Sequence, residues 1–272
     1  MAIERTFHTP APLRLDLAIP AGGIDVETVD GEETTVFLDA DDERALEHAT
    51  VELRGDELVV HTDRKRSLLG GIVNIQIAGV SLGDARYRLR VRAPHGSRLE
   101  ARTASADVEA RGRYAQADVK TASGEIVLAE IDGDATVKTA SGDVRLADVG
   151  GSLRVQSVSG DVRGGSVGGT LTAQLVSGDL VLGEVAAGAT TKSVSGDQQL
   201  TVVAGDVSLT SVSGDMRVGV RRGSQLYVDA NSVSGDLDSE VELADAPGQG
   251  GDAPLVELRA KTVSGDFRVV RA

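Results

Sequence analysis

The chain has 272 residues, of which 40% are hydrophobic and only 2% aromatic, and its formal net charge is −14. That charge argues against binding to nucleic acid or to an anionic lipid surface, since both depend on clustered Lys and Arg. The chain contains no Cys, which excludes disulfides, thiolate chemistry and Cys-ligated metals.

The N-terminal residues 1–21 carry charges and prolines and have no apolar core of the kind a secretory signal needs. The longest uncharged stretch, residues 67–83, is short for a membrane span and contains Asn74, Gln76 and several glycines. We therefore expect a cytoplasmic protein without a transmembrane segment, for which envelope association through a partner stays open.

Residues 1–100 predict an irregular N-terminal β region that acts as a cap or as early coils. Residues 22–29 alternate apolar and polar side chains after two glycines, and residues 51–61 have the pattern of a hairpin around Arg54–Glu57. Residues 87–91 alternate apolar residues with Arg, which predicts a strand with one solvent-exposed face. Residues 41–49 predict a single short helix.

An apolar segment within this region is a candidate contact surface. It follows the basic residues 64–66 and contains Leu68, Leu69, Ile72, Ile75 and Ile77. A buried strand is the favoured interpretation, because apolar runs are usually part of the core. The alternative is an apolar flap for self-association or partner docking.

From residue 101 onward the chain repeats a short motif, T/S-A/V-S-G-D followed by an apolar residue. Its serine recurs every 18 residues from Ser105 to Ser213, and then at Ser234 and Ser264. A fixed period of this length is typical of a repeat architecture in which each unit buries its apolar face only against its neighbours. We expect residues 101–272 to form this repeat region, with a loop insertion near 244–254.

The apolar positions of each repeat define the fold class. Counted from the serine, they fall at +3, +5, +8, +12, +14 and +17, as two similar nine-residue halves. This spacing is not helical, and each pair separated by one residue predicts a short strand. We therefore predict an all-β protein, a parallel β-solenoid with 18-residue coils, in which successive coils stack on one another and all six apolar columns face the core.

Position +2 of every repeat is acidic, so the stacked coils predict a ladder of carboxylates. Its members are Asp107, Glu125, Asp143, Asp161, Asp179, Asp197, Asp215, Asp236 and Asp266. Neighbouring charges ~4.8 Å apart repel by about 0.9 kcal/mol even at the dielectric constant of water, so the ladder needs compensation. The favoured interpretation is structural, with carboxylates accepting backbone N–H bonds or lying beside Lys and Arg. The alternative is a site for a cation or a cationic partner.

Catalytic and metal-binding interpretations have less support in the sequence. Calcium-binding β-rolls space their Gly and Asp residues differently, and four scattered histidines offer no metal-ligand spacing. Nine equivalent serines with no histidine in the repeats do not form a nucleophilic site. We predict no catalytic residue, no metal and no cofactor.

The repeated motif, the residues Gly22-Gly23-Ile24-Asp25-Val26 and the closing residues 256–269 carry a resemblance. Over nearly the whole length, the chain resembles the bacterial putative-adhesin family of β-strand-repeat domains of unknown function. The resemblance implies a β-solenoid and a role in adhesion or envelope-associated scaffolding. It implies no catalytic or binding residues.

These observations favour a non-enzymatic structural or interaction module, adhesin-like or scaffold-like, that presents a repetitive acidic surface. The expected partner is a protein or an envelope-associated structure, with self-association also open. The first alternative is a scaffold that polymerises through its coil ends, as bactofilin-like proteins do. A glycan-binding or glycan-active β-helix protein ranks last, because aromatic platforms for sugar stacking are scarce.

Overall fold

The computed structural model describes residues 2–62, 85–240 and 255–272. These residues are mostly β-strand, which confirms the all-β prediction, and they form two compact units, Met1–Leu146 and Ala147–Ala272. We call them unit 1 and unit 2. The boundary that the sequence predicts near residue 100 stays a prediction, and the loop expected near 244–254 lies outside the described residues.

Unit 1 contains eleven described strands and one short helix. They are β1 (Ile3–His8), β2 (Arg14–Val29), β3 (Glu33–Ala40), α1 (Glu43–Leu46), β4 (Thr50–Arg54), β5 (Glu57–His61), β6 (Tyr87–Pro94), β7 (Arg98–Tyr114), β8 (Gln116–Thr121), β9 (Ile126–Ile131), β10 (Ala135–Ser141) and β11 (Val144–Leu146). The single helix falls within the predicted range 41–49. It begins after Asp42, whose carboxylate accepts a hydrogen bond from the amide of Arg44 at 3.0 Å.

Strand β2 is the centre of unit 1, because both of its sides carry parallel neighbours. One side pairs with β7, and the other pairs with β5 and then β6. Beyond these lie antiparallel strands: β4 pairs with β5, β3 with β6, and β1 with β3. The hairpin predicted within residues 51–61 is therefore confirmed, and so is the exposed arginine face of β6.

The regular coils begin at β7 and advance by 18 residues. β8 and β9 pair in parallel with β7, while β10 and β11 pair with β8 and β9. The register places Val108 beside Ile126, and Ile126 beside Val144. Each of these side chains is buried, and full burial of a Val or Ile contributes roughly 1.5–3 kcal/mol.

Unit 2 contains twelve described strands. They are β12 (Leu153–Ser159), β13 (Val162–Gly164), β14 (Thr170–Ser177), β15 (Leu180–Val185), β16 (Gly188–Lys192), β17 (Gln198–Val203), β18 (Val207–Thr210), β19 (Met216–Val220), β20 (Gln225–Ser234), β21 (Leu237–Ser239), β22 (Leu255–Ser264) and β23 (Phe267–Arg271). Parallel pairing in steps of 18 residues continues from β12/β13 to β18/β19. The prediction of a parallel β-solenoid is confirmed.

The last two coils stack in the reverse of their sequence order. β22 and β23 pair directly with β18 and β19, and β20 and β21 pair with the other side of β22 and β23. The final coil of the chain thus lies between two coils that precede it. The expectation that successive coils stack on one another is wrong here. The repeats 225–239 and 255–271 carry the same motif, so either could pair with β18/β19.

Five of the six predicted apolar columns face the core. Val144 at +3, Leu182 at +5, Val185 at +8, and Leu171 with Ala173 at +12 and +14 are all buried. The +17 column is the exception, because its valines are 42–48% exposed from Val158 to Val212. The residue before each valine points inward instead, and it is usually Ser or Thr.

Two further positions depart from the predicted apolar pattern. Gln198 occupies a +3 position and is buried, and its side-chain Oε1 accepts a hydrogen bond from the hydroxyl of Thr191. Leu237, also at +3, is 51% exposed because it belongs to the outermost described coil of unit 2. Among the described residues, no helix is long and apolar enough to cross a membrane.

Candidate functional site

The acidic residues at +2 lie at a corner of each coil, immediately after Ser and Gly in every repeat except the first, where Ala106 replaces the glycine. We call this set the acidic row. In unit 1, the strand register places Asp107, Glu125 and Asp143 in adjacent coils. In unit 2, strand pairing and hydrogen bonds give the spatial order Asp161, Asp179, Asp197, Asp215, Asp266, Asp236. The structure thus brings the predicted residues together within each unit.

Most carboxylates of the acidic row accept a hydrogen bond from the backbone of the neighbouring coil in their unit. The amide of Asp179 donates to Oδ1 of Asp161 at 3.0 Å, and the amide of Asp197 donates to Oδ1 of Asp179 at 2.9 Å. The same bond, at 2.8–2.9 Å, continues through the later members of unit 2, and in unit 1 it joins the amide of Glu125 to Asp107. This is the turn chemistry that the sequence favoured as the structural role of the acids.

The backbone carbonyl of each acidic residue completes the connection between coils. The amide of Val162 donates to the carbonyl of Asp179 at 2.8 Å, and the amide of Leu180 donates to that of Asp197 at 2.9 Å. Both backbone groups of Asp179 and of Asp197 are therefore bonded to the preceding coil. Without a side-chain acceptor at +2, one amide at each corner would lose its partner.

A hydroxyl group two residues before the corner serine supports several of the corners from inside. In unit 2, the Ser193 hydroxyl donates to the carbonyl of Ser195 at 3.2 Å, and the Ser211 hydroxyl donates to that of Ser213 at 3.1 Å. This position is the first of the repeated motif, but its role was not predicted from the sequence. The available signal was a Ser or Thr there in every repeat except the fifth, where Leu175 stands.

The glycine of the corner is required for two reasons in unit 2. Gly196 has φ of +117°, a conformation that costs a residue with a Cβ about 1–2 kcal/mol. A Cβ at this position would also lie 2.2 Å from the carbonyl oxygen of Gly178 in the preceding coil. The close stacking of corners therefore depends on glycine.

Basic side chains neutralise part of the acidic row. Arg163 donates to Oδ2 of Asp161 at 2.8 Å, and Arg145 forms an ion pair with Glu125. The bond from the Asp179 amide lowers the pKa of Asp161, and Arg163 adds to that effect against the opposing contribution of burial. Both Arg residues stand four positions after the serine of their repeat, and both pairs match the expectation that some acids lie beside Lys or Arg.

A carboxylate binds the next coil at a second corner as well. Oδ1 of Asp148 accepts hydrogen bonds from the Ser166 hydroxyl at 2.6 Å and the Ser166 amide at 2.8 Å. These two bonds lower the pKa of Asp148 below its ordinary value. Asp206, at a different position of its repeat, accepts a bond from the amide of Glu257 at 2.9 Å. Neither residue could be identified from the repeat pattern, because at each of the two positions most repeats have no acid.

Unit 1 also carries a charged network outside the acidic row. Oδ1 of Asp16 lies 3.0 Å from Nη1 of Arg102, and its Oδ2 lies 3.1 Å from Nε2 of His61. Burial raises the pKa of Asp16, but the hydrogen bond and charge of His61, with the charges of Arg102 and Arg14, together hold it below its ordinary value. The network joins β2, β5 and β7 on one outward face and has the form of a structural ion-pair cluster.

The arrangement of the described residues offers hydrogen-bond acceptors and negative charge in rows. Within the parts of the chain that the structure describes, no group of three or more His, Asp or Glu side chains is placed to hold a metal ion. The contact segment of Leu68, Leu69, Ile72, Ile75 and Ile77 lies outside the described residues. Its role stays a prediction.

Comparison with known proteins identifies the family of the chain. A family profile described as Toastrack DUF4097 matches residues 15–270. No curated protein matches the chain.

Among the solved structures that match this chain, three are each 12% identical to it in sequence. A putative adhesin from Parabacteroides distasonis covers 99% of this chain and 97% of its own, with a TM-score of 0.48. A putative adhesin from Bacteroides fragilis covers 98% and 97%, with a TM-score of 0.44. A putative cell adhesion protein from Clostridium sporogenes covers 100% of both chains, with a TM-score of 0.25.

Proposed function

The chain belongs to the Toastrack DUF4097 family, and we propose that it is a non-enzymatic interaction module that presents the acidic row of unit 2 to a basic partner. The observation that supports this most strongly is the anchoring of the carboxylates. From Asp161 to Asp266, each accepts a backbone amide of the next coil at 2.8–3.0 Å. Their charges are therefore held in fixed positions before a partner arrives, which lowers the entropic cost of binding.

Solvent access supports the same proposal. The residues that directly follow Asp197 and Asp215, which are Gln198 and Met216, are buried. The acids themselves are exposed at Asp197, Asp215, Asp236 and Asp266. Charged side chains that are both exposed and positioned steer an oppositely charged protein toward the surface. The partner expected from this chemistry is a protein or an envelope-associated structure with a row of Lys or Arg.

A titration with a lysine homopolymer tests the proposal. The variant Asp179→Asn/Asp197→Asn/Asp215→Asn keeps the amide acceptors of the row and removes three negative charges. The matched control Glu184→Gln/Asp229→Asn/Glu257→Gln removes the same charge elsewhere in unit 2. We expect the row variant to bind more weakly than the control at moderate salt, and equal binding would show that only net charge matters.

Polymerisation through coil ends remains the alternative, and one observation favours it. Strands β20 and β21 pair with β22 and β23 on one side only among the described residues, and an open sheet edge can accept another strand. End-to-end assembly predicts particles that keep growing with protein concentration in light scattering. A module that binds a basic partner does not.

A further inference from the structure

Unit 2 carries a second row that the proposed function does not use. Immediately before the corner serine, each of its six coils has an exposed valine. In spatial order these are Val158, Val176, Val194, Val212, Val263 and Val233, with exposures of 42, 45, 48, 48, 50 and 82%. We call this set the valine row. It accounts for six of the eight large hydrophobic side chains that are exposed among the described residues.

The strand register aligns the valines one above another. Ser157 and Ser159 pair with Leu175 and Ser177, and the corner serines continue in register through the later coils. Coils in a sheet are ~4.8 Å apart, so the row is a continuous apolar strip. Strips of this kind on soluble proteins mark interaction surfaces more often than isolated apolar residues do.

The fold itself does not require valine at these positions. Threonine has a similar shape and a similar preference for strands, and it is used at neighbouring outward positions, for example at Thr172 and Thr190. In unit 1 the equivalent position holds alanine in Ala104, Ala122 and Ala140. A hydrophobic residue in every coil of unit 2 therefore needs an explanation beyond strand stability.

We propose that the valine row is a self-association surface, on which a second copy of this chain packs its own valine row. The pitch is the first argument. The valine row of a second copy has the same coil spacing, so its valines can fill the gaps between rows along the full length, as side chains do between paired β-sheets. A helix, with 5.4 Å per turn, loses this match after a few coils.

Charge complementarity fixes the arrangement of the two copies. On one flank of the valine row lies the acidic row, and on the other lies a column that contains no acid. That column is Gln156, Gln174, Lys192, Thr210, Lys261 and Asn231. A twofold axis parallel to the valine row places the acidic flank of each copy against the Gln/Lys flank of the other. A twofold axis lying across the row would place acid against acid.

The area required for a stable dimer brings these flanks into the interface. A standard interface buries about 800 Å² on each partner, which is a larger area than a single column of valines supplies. The Gln/Lys column and the corner serines therefore belong to the contact. The interface is polar on both flanks and apolar along its centre, which is the usual anatomy of a protein–protein contact.

Analytical ultracentrifugation of the full chain up to millimolar concentration tests the proposal. We expect a monomer–dimer equilibrium for the native protein and at least about tenfold weaker association for Val176→Thr/Val194→Thr/Val212→Thr. The control Val181→Thr/Val202→Thr makes the same chemical change away from the valine row and should associate as the native protein does. A native protein that stays monomeric, or a valine-row variant that associates normally, overturns the proposal.

Disulfide trapping tests the arrangement and remains informative if the triple variant fails to fold. The native chain has no Cys, so any disulfide in a single-Cys variant must involve the introduced residue. In the parallel arrangement Val158→Cys, at one end of the valine row, forms disulfide-linked homodimers, and so does Val233→Cys at the other end. An antiparallel arrangement would give a disulfide only when the two variants are mixed, and that outcome, or no disulfide at all, contradicts the proposal. Val181→Cys should remain unlinked.

Discussion

The corners of the two units have nearly the same sequence but opposite peptide orientations. In unit 1 the amide of Gly124 points inward and donates to the hydroxyl of Thr121 at 3.0 Å. In unit 2 the carbonyl of Ser213 points inward and accepts from the hydroxyl of Ser211 at 3.1 Å. The peptide between Ser and Gly is thus reversed between the units, while the buried hydroxyl stays in place and changes from acceptor to donor.

This difference separates the two roles of the motif. In both units a backbone amide donates a hydrogen bond to the carboxylate of the neighbouring coil. The distance is 2.9 Å from the amide of Glu125 to Asp107, and 2.9 Å from the amide of Asp197 to Asp179. The acid therefore acts independently of the peptide orientation. Close stacking requires glycine in unit 1 as well, since a Cβ at Gly124 would overlap the carbonyl oxygen of Ala106. Among the glycines of the repeated motif, only those of unit 2, such as Gly178 and Gly196, have positive φ in addition.

The largest expected effect comes from a methyl group at the glycine of a unit 2 corner. Gly196→Ala combines an unfavourable φ with a contact of 2.2 Å to a backbone oxygen, and should lower the free energy of unfolding by about 3 kcal/mol or more. Urea denaturation measures the change. Gly223→Ala is the control, since φ is +85° there but no atom lies within 4 Å of the added Cβ, and it should cost about 1–2 kcal/mol.

Unit 1 supplies the reverse experiment at the same point of the motif. Ala106 occupies the place of the glycine there and is buried. Ala106→Gly should cost only about 1 kcal/mol through backbone entropy and lost packing. If Gly196→Ala were as mild as this, the contrast between the two corners would be wrong.

Removal of the inner hydroxyl should also affect the units unequally. Thr121→Val leaves the buried amide of Gly124 without its acceptor, which costs about 2 kcal/mol. Ser211→Ala should cost less than about 1 kcal/mol, because the carbonyl of Ser213 also accepts from the amide of Gly196 at 3.2 Å. Thermal denaturation of both variants beside the native protein measures the difference, and equal losses would contradict the reversed peptide.

Substitution of the acid should have the same effect in both units. Asp197→Ala and Asp107→Ala each remove an acceptor and should lower stability by about 1 kcal/mol. Asp197→Asn and Asp107→Asn keep a side-chain oxygen and remove repulsion within the row, so they should be close to neutral. Urea denaturation distinguishes them, and an Asn variant as unstable as its Ala counterpart would indicate that the charge, not the hydrogen bond, matters.

Acid pH should produce the smallest and most gradual effect. The pKa values of Asp148 and Asp161 in unit 2 and of Asp16 in unit 1 are lowered by their partners in the folded chain. Their contribution to stability is complete above the unfolded-state pKa of about 3.9 and is lost as the pH falls through the lower folded-state values. The melting temperature should therefore decrease as the pH is lowered past about 4, and it should decrease less steeply in Asp148→Asn. If the pH dependence of the melting temperature is the same in that variant, Asp148 does not contribute to the acid sensitivity.

Much of the fold follows from side-chain period alone. The spacing of the apolar columns predicted the solenoid, and the alternation from Tyr87 to Val91 predicted a strand with an exposed face. Hydrophobicity did not reveal that the valine row faces solvent. Valine is compatible with a strand on either face, so its hydrophobicity alone is not informative. The inward–outward alternation of β14 continues through Leu175 and Val176 and breaks only at Ser177, so a strict period of two residues from the +12 and +14 positions would have placed the valine outward.

Two other features were beyond what the sequence specifies. The reversed peptide has no signature, because T-A-S-G-E in unit 1 and S-V-S-G-D in unit 2 look equivalent as motifs. The order of the last coils has none either, since the repeats around Ser234 and Ser264 offer similar pairing surfaces to β18/β19. The role of the acidic row as an acceptor of backbone amides could be predicted, because a repeated acid beside glycine is typical of turn chemistry.

The position of the last coil has a consequence for how the protein is made. During translation, residues 225–239 leave the ribosome before residues 255–271, yet the later segment lies between them and β18/β19. Assembly at this end cannot follow the order of synthesis coil by coil. The nascent chain completes unit 2 only once residues 255–271 have cleared the exit tunnel, so a product that stops before them would lack the inner coil while retaining the outer one.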